Sequence, residues 1–301
     1  MTHPAPGTRP ISGTTRLYAV LGSPVAQVRV PGLANGLFAR RGIDAVLVPV
    51  DVRPEELGPA MAGLKAIGNL DGLTVTVPHK VEICRYADEL SEAAALTGSA
   101  NALRRNPDGS WLADNFDGAG FVRGLTEQGH ALEGATVSLV GVGGAGRAIA
   151  AALLLAGVDR LRISDHDAGR LAEVRDRLAA RWPDRIDTGR APHYAGADLM
   201  VNATPLGMRP GDPLPFDPAA LPEHCVVADI VMKPAETELL RTAAALGRPV
   251  QYGRHMLDTQ LSLYEEFFGW DGAGRAPERT AAPADLSGQL TGKGTRGSME
   301  S

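Results

Sequence analysis

Residues 136–146 read T-V-S-L-V-G-V-G-G-A-G. An apolar run, Val137 to Val140, breaks at Gly141, Gly143 and Gly146 and passes into the alanine- and leucine-rich stretch 147–156. That is the order of a buried strand, a tight glycine turn and a helix whose N-terminal amides suit a dinucleotide pyrophosphate. The three glycines meet separate needs: a turn with unusual φ, close approach of backbone to phosphate, and close contact between helix and strand. G-x-G-x-x-G alone is a weak signal in a chain with 36 glycines. Asp165 strengthens it. It stands 19 positions after Gly146, at the end of a second apolar run from Leu161 to Ser164, where an acidic group suits a ribose diol.

Downstream of the turn, alternation continues with a helix over 168–181, an apolar run at 198–202, and strands over 226–231 and 249–252. A final helix over 256–270 carries Leu257, Leu261 and Tyr264. Upstream, strands are expected at 16–21, 45–50, 73–77, 101–105 and 111–116. A helix at 31–41, another opened by Pro54-Glu55-Glu56, and helical patterns through Ala95 separate them, and one more helix runs from Asp117 toward Gly129. Strands alternating with helices define an α/β fold. The expected architecture is an N-terminal α/β substrate domain over 15–117 and a C-terminal Rossmann dinucleotide-binding domain over 118–250. A closing helix over 251–272 packs back on the substrate domain. Residues 1–14 and 273–301, rich in Pro, Gly, Thr and Ser, are expected to be a flexible lead-in and a disordered tail.

Composition narrows the class further. A chain of 301 residues, 44% apolar and 22% charged, has room for about two domains and a substantial core. Its net charge of −5 gives no reason to expect nucleic acid or an anionic membrane as partner. No stretch approaches the ~18 apolar residues of a membrane span, and M-T-H-P-A-P-G-T is no secretory signal. Cys84 and Cys225 each lie in apolar surroundings and read as buried free thiols, so a cytoplasmic protein is expected. His79 and His255 belong to no cluster with ligand spacing, and no metal site is expected.

Several spaced motifs resemble the shikimate/quinate dehydrogenase family: G-S-P-V at 22–25, G-L-T-V-T-V-P-H-K at 72–80, G-S-A-N at 98–101 and D-N-F-D-G at 114–118. They continue with G-V-G-G-A-G-R-A at 141–148, N-A-T-P-L-G-M at 202–208, and Gln260 in M-L-D-T-Q. The resemblance spans about 16–270 and implies an NAD(P)-dependent oxidoreductase acting on a secondary alcohol. It implies a catalytic role for Lys80 and Asp117. The lysine exchanges a proton with the substrate hydroxyl, and the carboxylate holds and orients it. Thr76, Asn101 and Gln260 are the implied ligands of ring hydroxyls. Gly141, Gly143, Gly144, Ala145 and Gly146 form the implied phosphate turn, with Asp165, Asn202, Thr204 and Gly253 also bordering the cofactor. From the residues alone, Lys80 also suits a solvated surface lysine, and Asp117 a helix N-cap.

Three departures stand out. Relatives hold a substrate carboxylate with Ser-x-Ser, whereas this chain has Gln27-Val28-Arg29-Val30-Pro31. Either Arg29 supplies a bidentate pair with help from Gln27, or the substrate carries no carboxylate there, or Arg29 faces solvent while the valines pack. NADP-using relatives carry Asn-Arg-Thr where this chain has Asp165-His166-Asp167, which points to NAD over NADP. Met232 stands where relatives often have tyrosine. The expected substrates are shikimate (3-dehydroshikimate in reverse), then quinate. The alternatives are a related cyclic polyol or amino-analogue, or a dinucleotide-binding regulatory protein without turnover. A monomer or homodimer suits a small-molecule enzyme of this kind.

Overall fold

The computed structural model describes residues 10–270. The expected tail over 273–301 and residues 1–9 of the expected lead-in lie outside them. Two six-stranded sheets carry the fold. The first contains β1 (Arg16–Gly22), β2 (Ala45–Asp51), β3 (Leu70–Val75), β4 (Glu89–Leu90), β5 (Ala102–Arg105) and β6 (Trp111–Asp114), in the order β2-β1-β3-β5-β6-β4. Strands β2, β1 and β3 are parallel, and β5 runs antiparallel to both β3 and β6. Strand alternation sorts the two faces. Ala19, Leu21, Leu73 and Val75 pack with Leu57 and Met61 of α2 (Leu57–Ala66). Tyr18 and Val20 face Leu37 and Phe38 of α1 (Val30–Arg41) and aromatic residues from the end of the chain.

β3 begins earlier than the β-branched run at 73–77 suggests. Pairing with β1 already starts at Leu70, and the Leu17 amide donates to Asn69 O just before it, at 2.8 Å. Gly72 reads as a breaker in sequence, yet it sits mid-strand because a Cβ there would run into the Phe268 ring. The strand stops at Val75, and the chain turns as the His79 amide donates to Thr76 O at 3.0 Å.

The second sheet contains β7 (Thr136–Val140), β8 (Arg160–Ser164), β9 (Ile186–Gly189), β10 (Leu199–Asn202), β11 (Val226–Asp229) and β12 (Val250–Gln251). Every pairing is parallel, in the order β9-β8-β7-β10-β11-β12. This is the doubly wound order, with its switch point between β7 and β10. α3 (Glu92–Thr97), α5 (Gly144–Leu155), α6 (Ala168–Ala179) and α7 (Glu238–Ala245) complete the layers. The nucleotide strand and its helix fall where the glycine turn places them. β9 and α7 go unanticipated: β9 has a single large aliphatic residue, half-buried Ile186, and α7 is only eight residues long.

α4 (Asp117–Glu127) and α8 (Gly253–Phe268) lie side by side and pack closely. Their approach rests on glycines. A Cβ at Gly118 would fall on the carbonyl oxygen of Ala148 in α5 and stand 2.7 Å from Ala152 Cβ. On another side of α4, a Cβ at Gly120 would stand 2.7 Å from Gln260 Cγ and 2.9 Å from Met256 O, both in α8. One helix therefore meets two neighbours, α5 and α8, at backbone distance.

Among the described residues no helix is long and apolar enough to cross a membrane, and no group of His, Cys, Asp and Glu is arranged to hold a metal ion. Both cysteines are free thiols, and burial pushes Cys84 up to about 11 and Cys225 to about 12. Gly118→Ala is expected to cost about 1–3 kcal/mol, because backbone and a helical Cβ must both give way. A urea midpoint equal to that of the unsubstituted protein would refute the close α4–α5 contact.

Candidate active site

Lys80 is held at its backbone before its side chain is used. The Ala100 amide donates to Lys80 O at 2.7 Å, and the neighbouring His79 ring, 2% exposed, bonds Val52 O at 2.6 Å. The side chain is largely buried, and its ammonium lies 2.5 Å from Asp117 Oδ2. Asp117 opens α4, with its own amide donating to Asn115 Oδ1 at 3.0 Å. Its other oxygen, Oδ1, accepts from Asn101 Nδ2 at 2.9 Å and from Gln260 Nε2 at 2.8 Å. The Asn101 amide is itself oriented, since its Oδ1 accepts from the Phe116 amide at 2.9 Å.

A buried carboxylate is tolerable only when paired and hydrogen-bonded. Asp117, 3% exposed, meets that condition with three side-chain donors from three separate segments. Lys80, Asp117, Asn101 and Gln260 therefore form one cluster. Gly120 is what lets Gln260 come so near, as the forbidden Cβ contact shows. The cluster adjoins the glycine turn directly: a Cβ on Gly144 would stand 3.2 Å from Lys80 Cβ.

The turn itself fits a dinucleotide. Gly141 has φ of 96°, and a Cβ there would stand 2.8 Å from Thr204 Cγ2 and 2.9 Å from the Ala203 backbone. A Cβ on Gly146 would collide with Gly141 O, while Gly143 faces open space, as close approach of a phosphate demands. No side chain caps the start of α5, so the amides around Gly144, Ala145 and Gly146 are left for an anion. Gly253 opens α8 against the end of the second sheet, where a Cβ would come within 2.7 Å of Val231 O.

Asp165 behaves differently from the sequence expectation. Its Oδ2 accepts from the Val142 amide at 2.8 Å and its Oδ1 from the Asp167 amide at 2.9 Å. The carboxylate is buried and braces the glycine turn, with Arg170 Nη1 at 3.8 Å and His166 Nδ1 at 3.3 Å beside it. Its oxygens already serve amides and basic side chains flank it, so this carboxylate gives no ground for preferring NAD by repulsion of a 2′-phosphate.

Asn202 and Thr204 shape their loop from within. Asn202 Nδ2 donates to Leu206 O and Asp229 Oδ1, both at 3.0 Å, and its Oδ1 accepts from the Thr204 amide at 3.0 Å and hydroxyl at 2.6 Å. Burial raises the Asp229 carboxyl, against the opposing pull of bonds from Val231, Thr237 and Asn202. Thr76 is half-buried just past β3. Gln27 and Arg29 are both exposed. The Gln27 amide donates to Pro24 O at 2.8 Å, and Arg29 precedes α1 without capping it. Val28 and Val30 pack against the aromatic cluster containing Phe116 and Tyr264. Of the alternatives for this loop, the geometry matches packed valines with an outward arginine.

Sequence reasoning missed four contributors. Asn115 and Ser99 brace Asp117 from behind, with Asn115 Nδ2 donating to Ser99 O at 3.0 Å. His79 ties the Lys80 segment to the residue after β2. Tyr264, one turn beyond Gln260, sets its ring edge-on to Phe116 at 5.6 Å. Its i+4 spacing from Gln260 was the available signal; the others lie inside the motifs at 72–80, 98–101 and 114–118, but their contacts are tertiary.

A doubly wound sheet, an uncapped glycine turn and a buried lysine–carboxylate pair against that turn define a two-domain, dinucleotide-dependent oxidoreductase. The family of shikimate dehydrogenase substrate binding domains matches residues 20–103. A shikimate dehydrogenase (NADP(+)) of Rubrobacter xylanophilus is 41% identical over 252 residues, covering 82% of this chain and 88% of that protein. The chain belongs to the shikimate dehydrogenase family. Among solved structures it is similar to shikimate 5-dehydrogenase from Listeria monocytogenes in complex with shikimate and NAD, with TM-score 0.79 and 28% identity, covering 90% of this chain and 96% of that one. It is also similar to 5-ketofructose reductase of Gluconobacter sp. strain CHM43, with TM-score 0.76 and 28% identity, covering 88% and 95%.

If Asp165 braces the turn, Asp165→Ala strands two amides and weakens both dinucleotides, by about tenfold each. Fluorescence titration with NADH and NADPH checks this. A variant that loses NADH alone while gaining NADPH would restore the ribose-selecting role.

Proposed function

We propose that this protein is a shikimate dehydrogenase, interconverting a secondary alcohol of shikimate and the ketone of 3-dehydroshikimate with NADP(H), and that quinate is its second substrate. The observation that carries this is the Lys80–Asp117 pair, buried and in contact with Gly144 of the glycine turn. Residues 15–117 hold the substrate, residues 118–250 the dinucleotide, and α8 closes the site. The nicotinamide, when bound, supplies or accepts hydride at the reacting carbon.

The chain's own part is the proton. In reduction, the Lys80 ammonium gives a proton to the carbonyl oxygen as the carbon gains hydride. In oxidation, the neutral amine takes the hydroxyl proton as hydride leaves the same carbon. Asp117, fixed by Asn101 and Gln260, keeps Lys80 Nζ within hydrogen-bond reach of that oxygen. Asn101, Thr76 and Gln260 bind ring hydroxyls, and because Asn101 and Gln260 also hold Asp117, substrate position and proton position are set together.

NADP is proposed ahead of NAD, reversing the sequence expectation. The Rubrobacter relative is named for NADP(+), Asp165 is turned to backbone amides, and Arg170 Nη2, 3.4 Å from Asp167, lies on the first turn of α6 where a 2′-phosphate would arrive. A cyclic polyol without a carboxylate is the second substrate reading, favoured by Val28 and Val30 and by the likeness to 5-ketofructose reductase. A regulatory protein without turnover is disfavoured, since such a protein has no use for a fully assembled Lys80–Asp117–Asn101–Gln260 cluster.

Purified protein offered shikimate, quinate and uncarboxylated cyclic alcohols, each with NADP and NAD, tests the assignment; turnover only of the uncarboxylated alcohols would overturn it. Lys80→Ala should lower kcat by about 10²–10⁴-fold while leaving NADPH binding intact. Survival of full activity in that variant would remove the mechanism. Arg170→Ala should reduce kcat/KM for NADPH about tenfold and leave NADH nearly unchanged. Equal effects on the two cofactors would remove Arg170 from phosphate recognition.

A further inference from the structure

The apolar cluster over the first sheet contains an unexplained polar group. Tyr264 is 4% exposed as a residue, and its hydroxyl joins no other described residue by a hydrogen bond, although it is not one of the fully buried unpaired polar atoms and so keeps an open side. Buried tyrosine hydroxyls are ordinarily paired, because a stranded donor costs the desolvation it cannot recover. The ring is well placed: it stands edge-on to Phe116, at 5.6 Å and 90°, and Phe116 immediately precedes Asp117. Helical spacing stacks it one turn beyond Gln260, whose amide donates to Asp117. Burial and the nearby Asp117 charge both raise its ionisation well above 10, so it stays a neutral O–H donor.

The neighbouring strand has the same peculiarity. Gly72 of β3 meets Phe268 of α8, and Phe268 is one turn beyond Tyr264. Thr74 shares the Gly72 face by strand alternation, is 3% exposed, and its Oγ1 is buried without a partner. Val28 and Val30 pack on this same cluster and bring no donor. The side of the site where the loop contributes only apolar groups is therefore where α8 and β3 hold hydroxyls in reserve.

We infer that the Tyr264 hydroxyl is a substrate ligand, hydrogen-bonding a ring hydroxyl adjacent to the reacting carbinol, and that it sets the enzyme's demand for a polyhydroxylated ring. A substrate hydroxyl, which both donates and accepts, pairs the Tyr264 donor while leaving the Asp117 carboxylate free of a second anion. A substrate carboxylate at this point would meet the Asp117 charge. The inference rests on the functional assignment above.

Tyr264→Phe removes one oxygen and keeps the ring packed on Phe116. With shikimate and NADP(+), KM should rise about tenfold with kcat changed less than about twofold, and NADPH affinity and Tm should be unaltered. Shikimate analogues lacking one ring hydroxyl at a time give the readout that packing alone would not move. One of them should lose about tenfold in kcat/KM with the unsubstituted enzyme and nothing further with Tyr264→Phe. If shikimate is turned over but the two enzymes have equal kcat/KM, or every analogue loses equally in both, the inference fails alone. If the unsubstituted enzyme turns over neither shikimate nor quinate, the functional assignment fails and takes the inference with it.

Discussion

The Asp117 carboxylate is buried, and much of the molecule is arranged to supply its hydrogen-bond donors. One oxygen takes the Lys80 ammonium; the other takes amides from Asn101 and Gln260. Those partners come from the turn after β3, the start of β5 and the final helix. Because a buried charge without its donors is costly, each of these segments is held in place by the same carboxylate. Geometry of the cluster and packing of the chain around it are thus one problem with one solution.

That solution needs backbones closer than ordinary side chains allow. Asp117 begins α4, and α4 touches α5 through Gly118 and α8 through Gly120. The same economy recurs at the glycine turn, where Gly146 meets Gly141 O and Gly144 meets the Lys80 side chain. Missing Cβ atoms bring the glycine turn, Lys80 and α8 into one place. Rigid contacts of this kind suit a reaction in which hydride and proton must arrive at adjoining atoms.

The loop at 27–31 shows the opposite strategy. With Val28 and Val30 turned into the aromatic cluster and Arg29 outward, that wall contributes shape and dryness in place of hydrogen bonds. The polar groups of the cluster, Asn101 and Gln260 among them, arrive from other elements.

By itself the sequence determined the α/β class, the strand–glycine-turn–helix at 136–155, and the polar residues of the candidate site. Those features are local or motif-borne: periodicity of two or 3.6, glycines at fixed spacing, and a lysine after a strand end. It misjudged the ends of β3, because pairing with β1 and room for Phe268 override the breaker character of Gly72. It pointed from Asp165 to NAD over NADP, a preference the NADP(+) relative does not support, since spacing gives the position of a carboxylate and not the direction its oxygens face. Only the tertiary structure decided that Asp165 braces Val142 and Asp167, that Asn202 bonds within its own loop and to Asp229, and that Tyr264 stands edge-on to Phe116. Hydrogen-bond partners far apart in sequence are chosen by how helices cross, and that crossing depends on contacts a linear pattern does not contain.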